Sequence, residues 1–311
     1  MNQKTILVTG ALGHIGSRLI REFSPKLVGR VVIIDNLSTQ RYPSLFELPT
    51  TMRYEFHEED VRTVDFSKYL GGVDAVIHLA AITDAPSSKD RPEETFDVNL
   101  GGTKRIADAC LVAKVPILFP STTSVYGSQA NLVDETSKEL KPQSPYADSK
   151  LQAEEYVRSL KPKGLRFVIC RLGTIFGYSI GMRFHTAVNK FTWQAVNGIS
   201  LTVWKTAWKQ KRPYLDLADC VKAVNFILEK DLFDGEIYNV LTNNFMVEDI
   251  VTAIKKFVPD LTVSYVDSAI MNQLSYEVSD AKFRARGFAP AGNLGRGIEM
   301  TVNKLRGVRV G

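Results

Sequence analysis

A tyrosine and a lysine four residues apart, Tyr146 and Lys150, are the residues of this chain whose types and spacing most directly suggest a reaction. Residues four apart on a helix share one face, so both side chains can reach the same ligand. A tyrosine with its ordinary pKa near 10 acts as a base at neutral pH only when positive charge stabilises its phenolate. An ammonium one helical turn away supplies such a charge. The pair therefore predicts proton transfer to or from a hydroxyl group.

A glycine-rich segment near the start of the chain predicts a dinucleotide site. It reads TGALGHIG over residues 9–16 and follows a short apolar run that is typical of a strand. Glycines at 10, 13 and 16 permit a tight turn, close approach of the backbone to a pyrophosphate, and close packing of helix on strand. Asp35 ends the next apolar run, about 20 residues further on, where a carboxylate can bind the hydroxyls of a ribose.

The hydrophobic pattern predicts the elements that must position these residues. Short β-branched runs alternate with helical patterns through the first two thirds of the chain. Buried parallel strands are expected over 5–8, 31–34, 53–56, 75–78, 116–119 and 166–170, and helices over 15–23, 95–113 and 144–160. This alternation is typical of an α/β fold with a doubly wound parallel sheet.

Beyond residue 177 the pattern changes and predicts a smaller C-terminal α/β region. Helices are expected over 182–198, 218–229 and 247–257, and strands over 201–204 and 237–240. No linker or repeat separates this region from the first, so the two should pack together directly. We expect residues 1–177 with about 212–240 to bind the dinucleotide, and residues 178–211 with 241–311 to bind the substrate.

The composition excludes several classes of protein. The 311 residues carry 39 basic and 34 acidic side chains, and this mild excess is scattered, so nucleic acid is not an expected partner. No apolar run approaches the ~20 residues that cross a bilayer, and the chain opens without a signal-peptide pattern. Three widely spaced cysteines and four histidines without ligand spacing predict no disulfide framework and no metal site. These features favour a cytoplasmic protein.

Further motifs resemble those of the extended short-chain dehydrogenase/reductase family, in its branch of nucleotide-sugar epimerases and dehydratases. They follow the family's order along most of the chain. Beside the glycine turn, Asp35 and the Tyr146 pair, they are Asp60-Val61, His78-Leu79-Ala80-Ala81, Asp97-Val98-Asn99, Ser121-Thr122-Thr123-Ser124-Val125-Tyr126-Gly127 and Arg212-Pro213-Tyr214-Leu215-Asp216-Leu217-Ala218-Asp219. The resemblance implies a Rossmann domain that binds NAD and a smaller domain that binds a nucleoside diphosphate sugar.

The resemblance also implies roles for individual residues. It places the catalytic set at Thr122, Tyr146 and Lys150, and substrate contacts at Thr122, Tyr146, Thr174, Trp204 and Arg212. It places NAD contacts at Gly10, Gly13, His14, Ile15, Gly16, Asp35, Asn36, Asp60, Val61, Leu79, Ala80, Ala81, Asn99, Tyr146 and Lys150. Family members commonly form homodimers through two helices of the Rossmann domain, which here would be 95–113 and 144–160.

Departures from the family pattern narrow the expected reaction. Thr123 and Ser124 stand where sugar-nucleotide dehydratases carry an acid pair, and hydroxyl groups cannot supply the acid and base that loss of water requires at pH 7. The late arginine that clamps pyrophosphate has no clear counterpart near residues 267–276. We therefore expect an NAD-dependent epimerase of a nucleoside diphosphate sugar that acts at C4 through a 4-keto intermediate.

Two alternatives remain open at this point, as does the identity of the sugar and the nucleotide. The same residues could serve a nucleotide-sugar dehydrogenase or ketoreductase that does not invert the carbinol. The alternative of another class is a non-catalytic NAD-binding regulatory protein. The presence of Thr122, Tyr146 and Lys150 argues against it, because such a protein has no physical need for all three.

Overall fold

The structure is a computed structural model, and it describes residues 3–129, 132–267 and 276–308. Its strands are β1 (Lys4–Thr9), β2 (Val28–Asp35), β3 (Arg53–Glu58), β4 (Ala75–His78), β5 (Ile117–Thr122), β6 (Phe167–Leu172), β7 (Thr174–Phe176), β8 (Leu201–Trp204), β9 (Lys211–Asp216), β10 (Ile237–Val240), β11 (Asn243–Met246) and β12 (Val263–Val266). Its helices are α1 (His14–Glu22), α2 (Pro92–Phe96), α3 (Gly102–Ala113), α4 (Pro145–Ser159), α5 (Ala187–Val196), α6 (Leu217–Lys230), α7 (Val247–Lys255), α8 (Ala281–Ala285) and α9 (Leu294–Leu305).

Seven parallel strands form the main sheet, in the order β3-β2-β1-β4-β5-β6-β10. Helices cover both faces of this sheet. Side chains alternate between the two faces along each strand, so each strand contributes to both hydrophobic cores. Ile6 and Val8 of β1 pack into a core with α1 and α6, whereas Leu7 packs into a second core with α3 and α4. The sheet is therefore doubly wound, and the predicted Rossmann fold is confirmed.

A smaller α/β region packs beside the main sheet. It contains a three-stranded sheet, β11-β9-β7, and a two-stranded sheet, β12-β8. Helices α5, α7 and α9 close a third hydrophobic core over these strands. Strand β10 joins the main sheet beside β6. Strands β7 and β9 lie in the small sheet, although the sequence analysis grouped them with the dinucleotide-binding part.

Two predicted helices differ from the structure. The helix expected over 95–113 begins earlier, at Pro92, because proline is well suited to a first helical turn. It is also divided by a π-helical turn at Asp97–Gly101, which places Asn99 inside the fold. The helix expected over 182–198 begins only at Ala187, and the preceding residues 177–181 pack across the start of α1.

The strand order brings the predicted chemistry to one edge of the sheet. Strands β1 and β4 are neighbours, and the chain leaves them in opposite directions, which makes a crevice at their carboxyl ends. The glycine turn follows β1, residues 79–81 follow β4, and Thr122 ends β5. In the described part of the chain, no helix is both long and apolar enough to span a membrane.

We predict that Gly10→Ala destabilises the fold by about 2–5 kcal/mol, measured by chemical denaturation. Gly10 has φ +65°, and a Cβ there would lie 2.5 Å from the backbone nitrogen of Ala80, so both strain and overlap oppose it. Gly72→Ala is the matched control, since Gly72 has φ +73° with open space around it. Equal losses for the two variants would contradict a close approach of β1 to β4.

Candidate active site

A cavity of about 500 Å³ opens at the carboxyl edge of the main sheet. It collects most of the residues that the sequence analysis selected from distant parts of the chain. Those in its wall are Gly10, Gly13, His14, Ile15, Gly16, Asp35, Asn36, Val61, Leu79, Ala80, Ala81, Thr122, Tyr146, Lys150 and Thr174. One cavity therefore holds both the dinucleotide fingerprint and the proposed catalytic set.

Four selected residues lie outside the described wall of this cavity. Asp60 sits just behind it, where its carboxylate accepts hydrogen bonds from Arg62 Nη2 at 2.7 Å and Asn36 Nδ2 at 2.9 Å. Trp204 and Arg212 lie in the small sheets, on β8 and β9. The expected gap in the late arginine clamp cannot be placed, because residues 268–275 lie outside the described part of the chain.

Asn99, the fourth of these residues, holds the cavity wall together from behind. Its amide nitrogen donates to the carbonyl oxygen of Ile82 and to Ser149 Oγ, both at 3.0 Å, and its amide oxygen accepts from the backbone of Ile82 at 2.8 Å. Ser149 Oγ in turn donates to the carbonyl oxygen of Tyr146 at 2.8 Å. The π-helical turn thus places one buried amide where it binds both Ile82, in the loop after β4, and Ser149 of α4.

The glycine turn leaves the start of α1 open toward the cavity. Gly13 occupies the cap position without a side-chain hydrogen bond, so the first helical N–H groups are available to an anion. Gly16 permits the close packing behind them, since a Cβ there would lie 2.6 Å from the backbone of Ala11. Arg41 adds a cation beside the turn, with Nη1 3.8 Å from where a Cβ on Gly13 would lie.

His14 links the glycine turn to the segment that enters the smaller region. Its Nε2 donates to the carbonyl oxygen of Gly177 at 2.8 Å, and burial lowers its pKa to about 4, so the ring is neutral. Two more hydrogen bonds strengthen this link: Ser179 Oγ donates to the His14 carbonyl at 2.8 Å, and the N–H of Gly181 donates to Ser17 Oγ at 3.0 Å. The histidine therefore positions both walls of the cavity.

Asp35 is fixed for a ligand by its own backbone surroundings. One carboxylate oxygen accepts from the N–H of Leu12 at 3.1 Å and the other from the N–H of Leu37 at 3.0 Å. Burial raises the pKa of this carboxyl, while those two hydrogen bonds and Arg41 oppose the rise. The remaining lone pairs suit the two hydroxyls of a ribose.

The catalytic set assembles where β5 ends against the first turn of α4. Burial raises the pKa of Tyr146, and a hydrogen bond with the Thr122 side chain and the charge of Arg183 act in the opposite direction. The N–H of Tyr146 donates to Ser88 Oγ at 3.2 Å, which fixes the tyrosine backbone. The side chains of Thr122 and Tyr146 are therefore hydrogen-bonded to each other in the cavity wall.

Lys150 is a buried lysine whose surroundings disfavour its charged form. Its side chain is 4% exposed, its Nζ lies 4.1 Å from the centre of the Phe119 ring, and burial lowers its pKa to about 7. Glu154, one turn further along α4, acts in the opposite direction. Glu154 itself is paired with Arg171, with 2.7 Å between Oε2 and Nη2, and both side chains are buried.

The structure adds residues that the sequence reasoning missed. Arg183, His185 and Asp84 line the cavity near Tyr146, and Arg62 lines its other end. Arg183 was hidden because residues 182–186 were assigned to a helix. Two glycines at 177 and 181 could have indicated a turn there instead.

The cavity fits the dinucleotide that the glycine turn predicts. Glycines at 10 and 16 let the turn pack directly on the backbone of Ala80 and Ala11, and the first residues of α1 line the cavity with its N-terminus. Among the described residues, Thr83 Oγ1, Ser121 Oγ and Arg183 Nε are buried in this wall without a hydrogen-bond partner. Buried polar atoms are normally satisfied, so a polar ligand is expected to complete them. No cluster of three metal-ligating side chains occurs within 3–129, 132–267 and 276–308.

Comparison with known proteins agrees with this geometry. A sequence model of the NAD dependent epimerase/dehydratase family matches residues 6–240, which include the whole catalytic set. The chain belongs to this family. NAD is therefore its cofactor, and the chain is an enzyme of the nucleotide-sugar epimerase/dehydratase type.

Individual members of the NAD-dependent epimerase/dehydratase family are similar along most of the chain. The uncharacterized UDP-glucose epimerase YtcB of Bacillus subtilis is 32% identical over 245 residues, which is 76% of each chain. A dTDP-D-glucose 4,6-dehydratase of Bos taurus is 28% identical over 97% of this chain and 89% of its own. The structure of a UDP-glucuronic acid 4-epimerase from Bacillus cereus in complex with NAD superposes with a TM-score of 0.84 at 27% identity, covering 97% and 99% of the two chains.

We predict that Lys150→Met stabilises the NAD-free protein by about 3 kcal/mol at pH 8 and weakens NAD binding. In wild type, the unfolded lysine takes up a proton as the pH falls from 10.5, whereas the folded one does so only near 7. The free energy of unfolding of wild type therefore decreases as the pH falls from 10.5 to about 7, and that of the methionine variant lacks this decrease. Chemical denaturation at several pH values measures the difference, which should shrink toward pH 10.5. Lys190→Met, at an exposed position of α5, is the control and should change little.

Proposed function

We propose that this enzyme is an NAD-dependent 4-epimerase of a nucleoside diphosphate sugar. The observation that carries the proposal is the convergence of Thr122, Tyr146 and Lys150 on the cavity that also contains the glycine turn. Such a set can remove the proton of a sugar hydroxyl and later return it. When bound, NAD takes a hydride from the sugar carbon and gives it back.

Each residue of the set has a distinct part in moving the proton. Tyr146 takes the hydroxyl proton as phenolate, and its oxygen then returns a proton when the carbonyl is reduced. Thr122 shares a hydrogen bond with Tyr146 and so holds the phenol in line. Lys150 favours the phenolate when it is protonated, and a phenolate in turn favours its ammonium, so the two groups titrate as a pair.

The residues beside Thr122 support epimerisation over loss of water. Thr123 Oγ1 donates to the carbonyl oxygen of Leu172 at 3.3 Å and lies 3.5 Å from the hydroxyl of Tyr276. Ser124 faces the cavity with a hydroxyl as well. Neither group has a pKa suited to general acid or base work at neutral pH, which removal of a sugar hydroxyl as water requires.

The smaller region is proposed to bind the nucleotide half of the substrate. Thr174 lies in the cavity wall next to the catalytic set, and it leads into the small sheet. Trp204 ends β8 and could stack on the base, while Arg212 on β9 could bind phosphate. YtcB and the Bacillus cereus enzyme are described with UDP-sugars, and UDP-sugars are therefore the first substrates to test.

We further propose a homodimer through the outer faces of α3 and α4. The two helices pack side by side, and Tyr156 of α4 binds Asp108 of α3 at 2.7 Å. Val112 at the end of α3 is 85% exposed, which leaves an apolar side chain for a partner to cover.

Light scattering is predicted to give twice the mass of one chain, and Val112→Asp should shift the protein toward one chain. Ile199→Asp, a substitution of an exposed apolar residue outside these helices, should leave the mass unchanged. A wild-type protein that is monomeric at micromolar concentration would contradict the proposed dimer.

Tyr146→Phe is predicted to lower the rate of C4 epimerisation by about 10²–10⁴, because it removes the oxygen that carries the proton. The test follows UDP-glucose and UDP-glucuronic acid by NMR, with NADH absorbance recorded in parallel. Interconversion of C4 epimers without net NADH formation supports an epimerase. Net consumption of NAD or NADH would instead support the dehydrogenase or ketoreductase alternative. NAD affinity by calorimetry should be unchanged, as should the fold by circular dichroism.

A further inference from the structure

Arg183 is a cation in the cavity wall whose hydrogen-bonding capacity is not used. Its Nε atom is buried and has no partner among the described residues. The guanidinium interacts electrostatically with Arg41, which lowers its pKa, and with Tyr146 and Asp84, which raise it. A buried arginine donor without an acceptor is unfavourable, and an anionic ligand would correct it.

The fold holds this arginine in place from both sides. Before it, the segment 177–181 is tied to α1 by the hydrogen bonds of His14 and Ser17 described above. After it, Asn189 Nδ2 donates to the Arg183 carbonyl oxygen at 3.1 Å, and its Oδ1 accepts from the N–H of Gly177 at 3.1 Å. These hydrogen bonds fix the backbone on both sides of Arg183, whose side chain lines the cavity.

Other groups are available to the phosphates of the dinucleotide. The open N-terminus of α1 and the Arg41 guanidinium both lie at the glycine turn. Arg183 interacts electrostatically with Tyr146 as well as with Arg41 and His14 of the turn, and hydroxyls at Thr122, Ser124 and Thr174 line the same cavity. Hydroxyl donors beside an arginine fork are a good environment for a carboxylate.

We propose that Arg183 binds a carboxylate on the sugar, so that the substrate is a nucleoside diphosphate hexuronic acid. This rests on the proposed function, because that function places C4 of the sugar at Tyr146. The carboxylate of a hexuronic acid is attached to C5, the neighbour of C4, and therefore lies within reach of a cation beside Tyr146. Asp84 attracts the same guanidinium but leaves Nε without an acceptor. A neutral hexose offers only a hydroxyl oxygen at that place, which accepts a weaker hydrogen bond from a guanidinium than a carboxylate does.

The test compares UDP-glucuronic acid with UDP-glucose, which share one nucleotide so that nucleotide preference cancels. Wild type should prefer the uronic acid in kcat/KM. Arg183→Met should lower kcat/KM for UDP-glucuronic acid by about 10²–10³ and for UDP-glucose by less than about threefold. Arg183→Lys should give an intermediate loss, because lysine keeps the charge without the fork. Lys190→Met again serves as the control for loss of one positive charge.

Binding to the inactive Tyr146→Phe variant separates this proposal from the proposed function. Calorimetry in the presence of NAD should show tighter binding of UDP-glucuronic acid than of UDP-glucose, and adding Arg183→Met should abolish the difference. This result supports the carboxylate site even if wild type epimerises neither sugar. Equal binding of the two sugars overturns it, as does an equal loss for both on Arg183→Met, which would assign Arg183 to the substrate phosphates. A loss of NAD affinity in Arg183→Met also overturns it and assigns the arginine to the dinucleotide.

Discussion

The site depends on keeping a lysine ammonium in a wall that excludes water. The proposed mechanism places a charged Lys150 beside Tyr146, yet burial lowers the pKa of this lysine, and Glu154 offsets that effect only in part. The Phe119 ring lies against it on β5, and Glu154 provides negative charge one turn along α4. Glu154 forms an ion pair with Arg171 of β6. The neighbouring strands β5 and β6 therefore both supply side chains to the surroundings of the Lys150 ammonium. Such a charge costs stability, and in the proposed mechanism the gain is a phenol that ionises more readily at neutral pH.

Much of this arrangement could be predicted from the sequence because it is encoded locally. The strand and helix periods gave the doubly wound sheet, and the glycine spacing gave the turn at Gly10. The residues of the cavity wall were largely selected by motifs, since each motif sits where a strand ends and strand ends share one edge. Ile6, Leu7 and Val8 alternate between the two cores, which is why a fully buried strand is a continuous apolar run in the sequence.

What the sequence could not give are contacts between parts that no local pattern relates. The link from His14 to Gly177 spans 163 residues. Arg183 lies in the cavity wall and not on a helix because α5 begins only at Ala187, whereas the apolar spacing indicated a helix over 182–198. The π-helical turn at Asp97–Gly101 was read as continuous helix, because it departs from the α pattern by hydrogen bonding and not by residue type. The π-helical turn places Asn99 inside the fold, where its amide binds Ile82 and Ser149 behind the cavity wall.

The packing of Gly181 against the glycine turn has a consequence for how long the dinucleotide stays. A Cβ on Gly181 would lie 2.7 Å from the carbonyl oxygen of Gly13, so the two loops touch without an intervening side chain. Moving the segment 177–181 away from the glycine turn would break the hydrogen bonds at His14 and Ser17 together. An epimerase regenerates its oxidised dinucleotide in every cycle and has no need for exchange. A slow off-rate would thus be no handicap, and the dinucleotide could remain as a permanent part of the enzyme through many turnovers.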